Sequence, residues 1–199
     1  LLKKVLTSKA SLASAVILSL LAFSFGLPFN VRAAHLGCGA VLTANAELDS
    51  DLVCLGGTAL IIGASGITVD LNGHTLTGDP TVAASYGIDN TGGFDNITVK
   101  KGGIVGFEQG IRAMGTTGMT LKDLTFSGQT SSHAIDILDS SNVTVKDSSF
   151  ALPTVFLGPE AIRLESVSGV TVKRVDVDGG FVGVNFACGR IICQAVGSA

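Results

Sequence analysis

Gly66-Ile67-Thr68-Val69-Asp70 is the first of five copies of one motif, and the repetition of this motif decides the fold. The later copies read Asn-Ile-Thr-Val-Lys at 96–100, Gly-Met-Thr-Leu-Lys at 118–122, Asn-Val-Thr-Val-Lys at 142–146 and Gly-Val-Thr-Val-Lys at 169–173. Apolar and polar residues alternate within each copy, which is typical of a half-buried strand. Gly and Asn best tolerate a left-handed backbone, so the first position predicts a turn with positive φ in every repeat.

A second motif, a small residue followed by an aliphatic and a polar residue, alternates with the first motif. It occupies 87–90, 110–113, 134–137, 161–164 and 183–186, and the repeat step is 22 to 30 residues. A third short strand is predicted in most repeats, around Leu76, Ile104, Phe126, Phe150 and Val177. Three strands per repeat predict one coil of a parallel β-helix, in which coils stack at about 4.8 Å and equivalent residues form columns.

The composition agrees with many short buried strands joined by tight turns. Gly accounts for 26 of 199 residues, charged residues for 15%, and the mean hydropathy is +0.53. Disordered chains are polar and rich in charge, so this composition excludes disorder. Collagen is excluded as well, because the glycines have no three-residue period.

The first 33 residues have the layout of a secretory signal peptide. Lysines precede an apolar run from Ala10 to Leu27, and Val31 and Ala33 provide small residues for a cleavage site. A single membrane anchor is the alternative, because the apolar run reaches the lower length limit of a membrane span. We therefore expect a signal peptide at 1–33 and a β-helix domain at 34–199, in a protein that is secreted, periplasmic or attached to the cell surface.

Cleavage would leave nine basic and 16 acidic residues, a net charge of −7. This balance argues against nucleic acid as a partner. No second apolar run is long enough to span a membrane, so no membrane contact is expected after cleavage. The even number of cysteines in an exported chain predicts disulfides Cys38–Cys54 and Cys188–Cys193, one at each end of the domain. A four-Cys metal site is the alternative, but spacings of 16 and 5 differ from those of zinc knuckles.

The repeats resemble those of the pectin-lyase-like superfamily, in particular the secreted NosD-like proteins. The resemblance covers 38–186, and the stretch 38–78, with Asp-Leu-Val-Cys at 51–54, resembles the opening coils of such proteins. It implies an all-β fold, a single-stranded right-handed parallel β-helix of about six short coils. NosD-like proteins are associated with maturation of a copper enzyme, but this chain has only three His and two Met, so the resemblance concerns the scaffold.

One outward column of the predicted helix alternates in charge, and it provides the catalytic candidates. It contains Asp89, Arg112, Asp136, Arg163 and Asn185. A ladder of structural ion pairs is one interpretation. The superfamily implies another, because its polysaccharide lyases use acidic residues to hold Ca²⁺ and an Arg or Lys as base, and its hydrolases use clustered Asp. Asp89, Arg112, Asp136 and Arg163 are therefore predicted to be catalytic, together with His133 from the adjacent column.

Two further columns provide candidates for substrate binding. The column beside the charged one contains four chemically different residues, Tyr86, Gln109, His133 and Glu160, and a solvated turn is the alternative interpretation. The other column starts at Asp70 and continues as a basic stripe, Lys100, Lys122, Lys146 and Lys173. This stripe fits an anionic glycan such as a uronate polymer, and a solvated face is the alternative.

The sequence therefore predicts an exported β-helix that binds carbohydrate or acts as an extracellular scaffold. A polysaccharide lyase or glycoside hydrolase acting on an acidic polysaccharide is the first alternative, and a lyase would imply Ca²⁺; no other cofactor is indicated. A structural or adhesive protein is the second alternative, because uncapped strand edges at the coil ends invite pairing between copies.

Overall fold

The computed structural model describes residues 33–129, 133–154, 158–180 and 182–187, and all of its regular structure there is β. Its strands, in chain order, are β1 (Ala33–Ala34), β2 (Ala40–Leu42), β3 (Ala46–Leu48), β4 (Leu52–Val53), β5 (Leu60–Ile62), β6 (Thr68–Asp70), β7 (Thr75–Thr77), β8 (Tyr86–Asn90), β9 (Thr98–Val105), β10 (Gln109–Met114), β11 (Thr120–Ser127), β12 (Ile135–Leu138), β13 (Thr144–Leu152), β14 (Glu160–Glu165), β15 (Thr171–Gly179) and β16 (Val182–Ala187).

The strands form two parallel sheets. Sheet A has the order β1-β3-β6-β9-β11-β13-β15, with β4 pairing β7 and β7 pairing β9. Sheet B has the order β2-β5-β8-β10-β12-β14-β16. Strands that are neighbours in a sheet come from successive coils, so the chain winds as a β-solenoid of about six turns. The predicted all-β parallel solenoid is confirmed.

The inward positions of both repeated motifs form the core. In sheet A the fully buried column includes Val69, Val99, Leu121 and Val145, and the Thr between the inward positions of each motif is only partly buried. Sheet B contributes Ile88, Ile111, Ile135 and Ile162, each fully buried. Phe126 and Phe150 stack in the same core, with ring centroids 4.8 Å apart and planes 3° from parallel. Period-two alternation in the sequence thus separates core from surface along every coil.

The turn column predicted from Gly and Asn is confirmed. The φ values are 76° at Gly66, 57° at Asn96, 81° at Gly118, 55° at Asn142 and 63° at Gly169. All five lie in the left-handed region, which these two residue types adopt at the lowest cost. The column therefore places the same bend at the same point of five successive coils.

The division into three separate strands per coil is wrong for the later coils. There the first and third predicted strands join into one long strand, β9, β11, β13 or β15, with a single left-handed residue inside it. These bend residues are Lys101, Asp123, Asp147 and Arg174, with φ between 48° and 57°. One such residue turns the chain while the ladder continues on both sides of it. In the coil that contains β6 and β7, the four residues 71–74 separate these two strands, so they remain distinct there.

The disulfide Cys38–Cys54 closes the first coil, with the two Cα atoms 5.6 Å apart, as predicted. The predicted pair Cys188–Cys193 lies outside the described residues, and so does most of the predicted signal peptide. A helix long and apolar enough to cross a membrane is not found among the described residues.

Candidate functional site

The outer surface of β8, β10, β12, β14 and β16 brings together most of the predicted site residues. We call this surface the arginine–aspartate face. Its central column pairs in register as predicted and contains Asp89, Arg112, Asp136, Arg163 and Asn185. The second predicted column runs beside it and contains Tyr86, Gln109, His133 and Glu160. A buried Ile precedes each of the four charged residues of this column and points into the core, which places the charged side chain outside.

Asp136 lies at the centre of the face and is buried, although its strand position points outward. Its side chain is only 1% exposed. Arg112 Nη1 lies 3.5 Å from Asp136 Oδ2, and Arg163 Nη1 lies 3.5 Å from Oδ1. The two guanidinium groups come from the coils on either side, so one buried carboxylate fixes two arginines.

Each arginine also has a partner of its own. Arg112 donates a hydrogen bond of 3.2 Å to Gln109 Oε1, and its guanidinium carbon lies 5.7 Å from the centre of the Tyr86 ring. Arg163 pairs with Glu165, two residues further along β14. The Arg112 and Arg163 side chains remain 25% and 29% exposed, so part of each guanidinium group faces solvent. Both cations are therefore held in place with donors still accessible from outside.

His133 belongs to a second polar chain on the same face. Its Nδ1 lies 3.3 Å from Glu160 Oε2, and Glu160 Oε1 accepts a 2.8 Å hydrogen bond from Asn185 Nδ2. The pKa of His133 is lowered below its usual value, mainly because the side chain is buried. The carboxylates of Asp136 and Glu160 act to raise this pKa, and Arg163 and Arg112 act to lower it. The imidazole is therefore neutral at pH 7, with a carboxylate beside one of its nitrogens.

Unused hydrogen-bonding capacity is concentrated on this face. Within the described ranges, four buried side-chain atoms have no hydrogen-bond partner, and three of them are His133 Nδ1, Asp136 Oδ2 and Glu160 Oε2. Native proteins leave few such atoms, because each costs about 1–3 kcal/mol. Asp136 Oδ2 lies 3.5 Å from Arg112 Nη1, so an ionic contact partly replaces a hydrogen bond there. His133 Nδ1 and Glu160 Oε2 face each other at 3.3 Å, and because the imidazole is neutral this contact is not an ion pair.

The lysine column lies on a different surface, the outer side of sheet A. Lys100, Lys122, Lys146 and Lys173 pair in register as predicted. Lys100 Nζ lies 2.9 Å from Asp70 Oδ2. Within the part of the chain that the structure describes, the other three lysines have no ion pair. The basic stripe and the catalytic candidates thus lie on different sheets, in agreement with their positions in the first and second motifs.

Charged bend residues beside the lysines form pairs of their own. Arg174 binds Asp147 with two hydrogen bonds, the one from Nη2 being 2.9 Å long, and this contact lowers the pKa of Asp147. Lys101 lies 3.5 Å from Asp70. Burial acts to raise the pKa of Asp70, but hydrogen bonds from Lys100 and the Asn72 amide outweigh it and the pKa is lowered. A shallow polar depression of about 220 Å³ lies at this acidic end of the column, beside Asp70 and Lys100.

The arginine–aspartate face does not fit the Ca²⁺ site that a lyase of the superfamily would imply. Ca²⁺ takes six to eight oxygen ligands, whereas both oxygens of Asp136 already face guanidinium groups. Among the described residues, no three His, Cys, Asp or Glu side chains lie close enough to hold a metal ion.

Three contacts on the two sheets were missed by sequence reasoning. They are the Arg112–Tyr86 ring contact, the Arg163–Glu165 pair and the Arg174–Asp147 pair. The Arg174–Asp147 pair could have been predicted from the register, because each of these residues directly follows a lysine of the lysine column. The other two contacts depend on side-chain conformation, for which the sequence contains no signal.

The sequence matches no protein-family model, and comparisons with curated proteins and with solved structures give no significant match. The evidence for the parallel solenoid is therefore the structure itself.

Proposed function

We propose that this protein is an exported β-solenoid that binds carbohydrate on its arginine–aspartate face. The observation that carries the proposal is the set of planar polar side chains held around buried Asp136, with an aromatic ring at one end. Arg112 and Arg163 present donors in fixed orientations, and Gln109 helps to hold Arg112. Ligand sites typically combine such convergent polar groups with apolar or aromatic surface.

The geometry suits a linear glycan. Successive coils repeat the polar positions at about 4.8 Å, so contacts can follow a chain of sugar rings along the solenoid axis. Tyr86 provides a ring for stacking, and Arg112 keeps that ring in place from the next coil. Because the network is already assembled, binding requires little ordering of side chains.

Export is supported by three features. The Cys38–Cys54 disulfide is typical of an oxidising compartment. The predicted signal peptide at 1–33 and the resemblance to secreted pectin-lyase-like and NosD-like proteins point to the same compartment.

Binding is tested by isothermal titration of the mature domain with a panel of soluble glycans. Arg112→Ala and Tyr86→Ala should each weaken binding about tenfold or more, since each removes a contact held ready for the ligand. Lys146→Ala, on the other sheet, is the matched control and should leave the affinity unchanged. A panel without any binding glycan would refute the proposal, and so would equal effects of all three substitutions.

A polysaccharide lyase or hydrolase acting on an acidic polysaccharide is the second candidate, and His133 favours it. A neutral imidazole beside a carboxylate, 3.3 Å from Glu160, is a suitable general base or acid. Incubation with plant and bacterial polysaccharides, with and without Ca²⁺, should then produce new unsaturated or reducing ends. His133→Gln should abolish this activity in a variant that keeps the circular dichroism spectrum of the unaltered protein, and no cleavage across the panel would leave binding as the function.

A further inference from the structure

We propose that the arginine–aspartate face selects neutral glycans and rejects acidic ones. This inference rests on the proposed carbohydrate binding and names the ligand class of that site. The sequence analysis led to a different expectation, an acidic polysaccharide that binds to the lysine column.

The formal charges on the face carry the inference. Its carboxylates are Asp89, Asp136, Glu160 and Glu165. Only two cations, Arg112 and Arg163, stand against these four groups, which leaves two formal negative charges. An acidic ligand approaching this surface therefore meets net repulsion.

The positive charge of each arginine is already balanced in part by protein carboxylates, so neither guanidinium group can offer its full charge to a carboxylate of the ligand. Asp136 contacts both guanidinium groups, and Arg163 is paired with Glu165 as well. A second carboxylate would have to compete with partners that are already in place and partly shielded from water. His133 adds no positive charge at neutral pH, because burial keeps its imidazole neutral.

The groups that remain accessible suit hydroxyls. The Glu160 and His133 side chains are 15% and 21% exposed. Their facing atoms Oε2 and Nδ1 are buried, so a ligand would meet Glu160 Oε1, which accepts from Asn185 and has a second lone pair, and the other edge of the imidazole ring. Asn185 lies beside Glu160 and offers an amide. A sugar hydroxyl both donates and accepts, so it can bind such a mixture, whereas a carboxylate can only accept.

An acidic polymer would find better contacts on the outer side of sheet A. Lys122, Lys146 and Lys173 stand there in register without ion pairs among the described residues. The two surfaces lie on different sheets, so each can be changed without touching the other. This separation makes the inference testable within one molecule.

The test uses matched oligosaccharides that differ in one group of each sugar, a carboxylate in one and a hydroxymethyl group in the other. The probes are uronic acid oligomers of three different backbones, each compared with the same oligomer after its carboxyl groups have been reduced to alcohols. Affinities are measured by titration calorimetry with the mature domain at 10 mM and 500 mM NaCl. The variants are Arg112→Ala, Glu165→Gln and the double variant Lys122→Gln/Lys146→Gln.

At least one reduced oligomer should bind about tenfold or more tightly than its acidic parent at 10 mM salt, and Arg112→Ala should weaken that binding. The preference should shrink at 500 mM salt, because screening shortens the reach of surface charge to a few ångströms. Glu165→Gln removes one negative charge at nearly constant shape, so it should reduce the preference at low salt as well.

The same affinity measurements distinguish failure of the neutral preference from failure of the proposed binding site. An acidic oligomer that binds as well as its reduced form, and loses affinity in Arg112→Ala, would overturn the neutral preference and retain the binding site. Binding that depends only on the lysine pair would refute the arginine–aspartate face as the glycan site. The absence of binding in all three backbone pairs would refute both.

Discussion

Asp136→Asn tests the central claim that one buried carboxylate holds two arginines. The substitution keeps the volume and shape of the side chain and removes only its charge. Asp136 is 1% exposed, and it lies 3.5 Å from a guanidinium nitrogen on each side. Asn at this position cannot balance either cation, so both arginines lose a counter-charge while remaining partly buried.

The magnitude follows from the exposure of the partners. Breaking a fully buried ion pair from one side costs about 3–5 kcal/mol, whereas an exposed pair contributes about 0–1 kcal/mol. Arg112 and Arg163 are 25% and 29% exposed, and Arg163 keeps Glu165, so the expected loss lies between these limits, at about 2–3 kcal/mol. For a domain of this size the loss corresponds to a decrease in Tm of roughly 4–12 °C.

The assay is urea unfolding followed by far-ultraviolet circular dichroism, with Asp89→Asn as the matched control. Asp89 occupies the same column and neighbours the same Arg112, but it is more exposed than Asp136. Its carboxylate accepts a hydrogen bond from the Thr91 amide, which Asn can also accept. We expect a change below about 0.5 kcal/mol for the control. Equal stabilities of the two variants would refute the view that Asp136 organises the face.

Three further predictions concern the pH response, the turns and the first coil. Burial lowers the pKa of His133 in the folded protein, so the unfolded chain takes up the proton first as the pH falls, and the free energy of unfolding should decrease from about pH 7.5 to pH 5.5. The urea midpoints at these two pH values should differ less in His133→Gln than in the unaltered protein. An equal difference in both proteins would contradict the prediction. Gly118→Ala should cost about 1–2 kcal/mol, because φ there is 81°, whereas Asn142→Gly in the same column should change little in the same unfolding assay. Cys38→Ser should cost about 3 kcal/mol, since Cys38–Cys54 closes a loop with a sequence separation of 16; a midpoint equal to that of the unaltered protein would exclude a stabilising role for the disulfide.

Much of the face could be predicted from the sequence, because column membership in a solenoid is a local property. The position of Asp136 within its motif placed it between Arg112 and Arg163, and the observed register agrees. The burial of Asp136 could not be predicted in the same way. It depends on how the arginine side chains of neighbouring coils lie across the carboxylate, and the sequence does not specify those conformations.

The sequence by itself determined the parallel β-solenoid, its inward columns and the turn at Gly66 and its equivalents, because period-two alternation and left-handed turns are encoded residue by residue. The tertiary structure alone decided that Asp136 is buried between two arginines. It also decided that the bend at Lys101 joins two predicted strands, and that His133 is neutral. These properties depend on contacts and desolvation between segments 22 to 30 residues apart, and such contacts exist only once the coils have stacked.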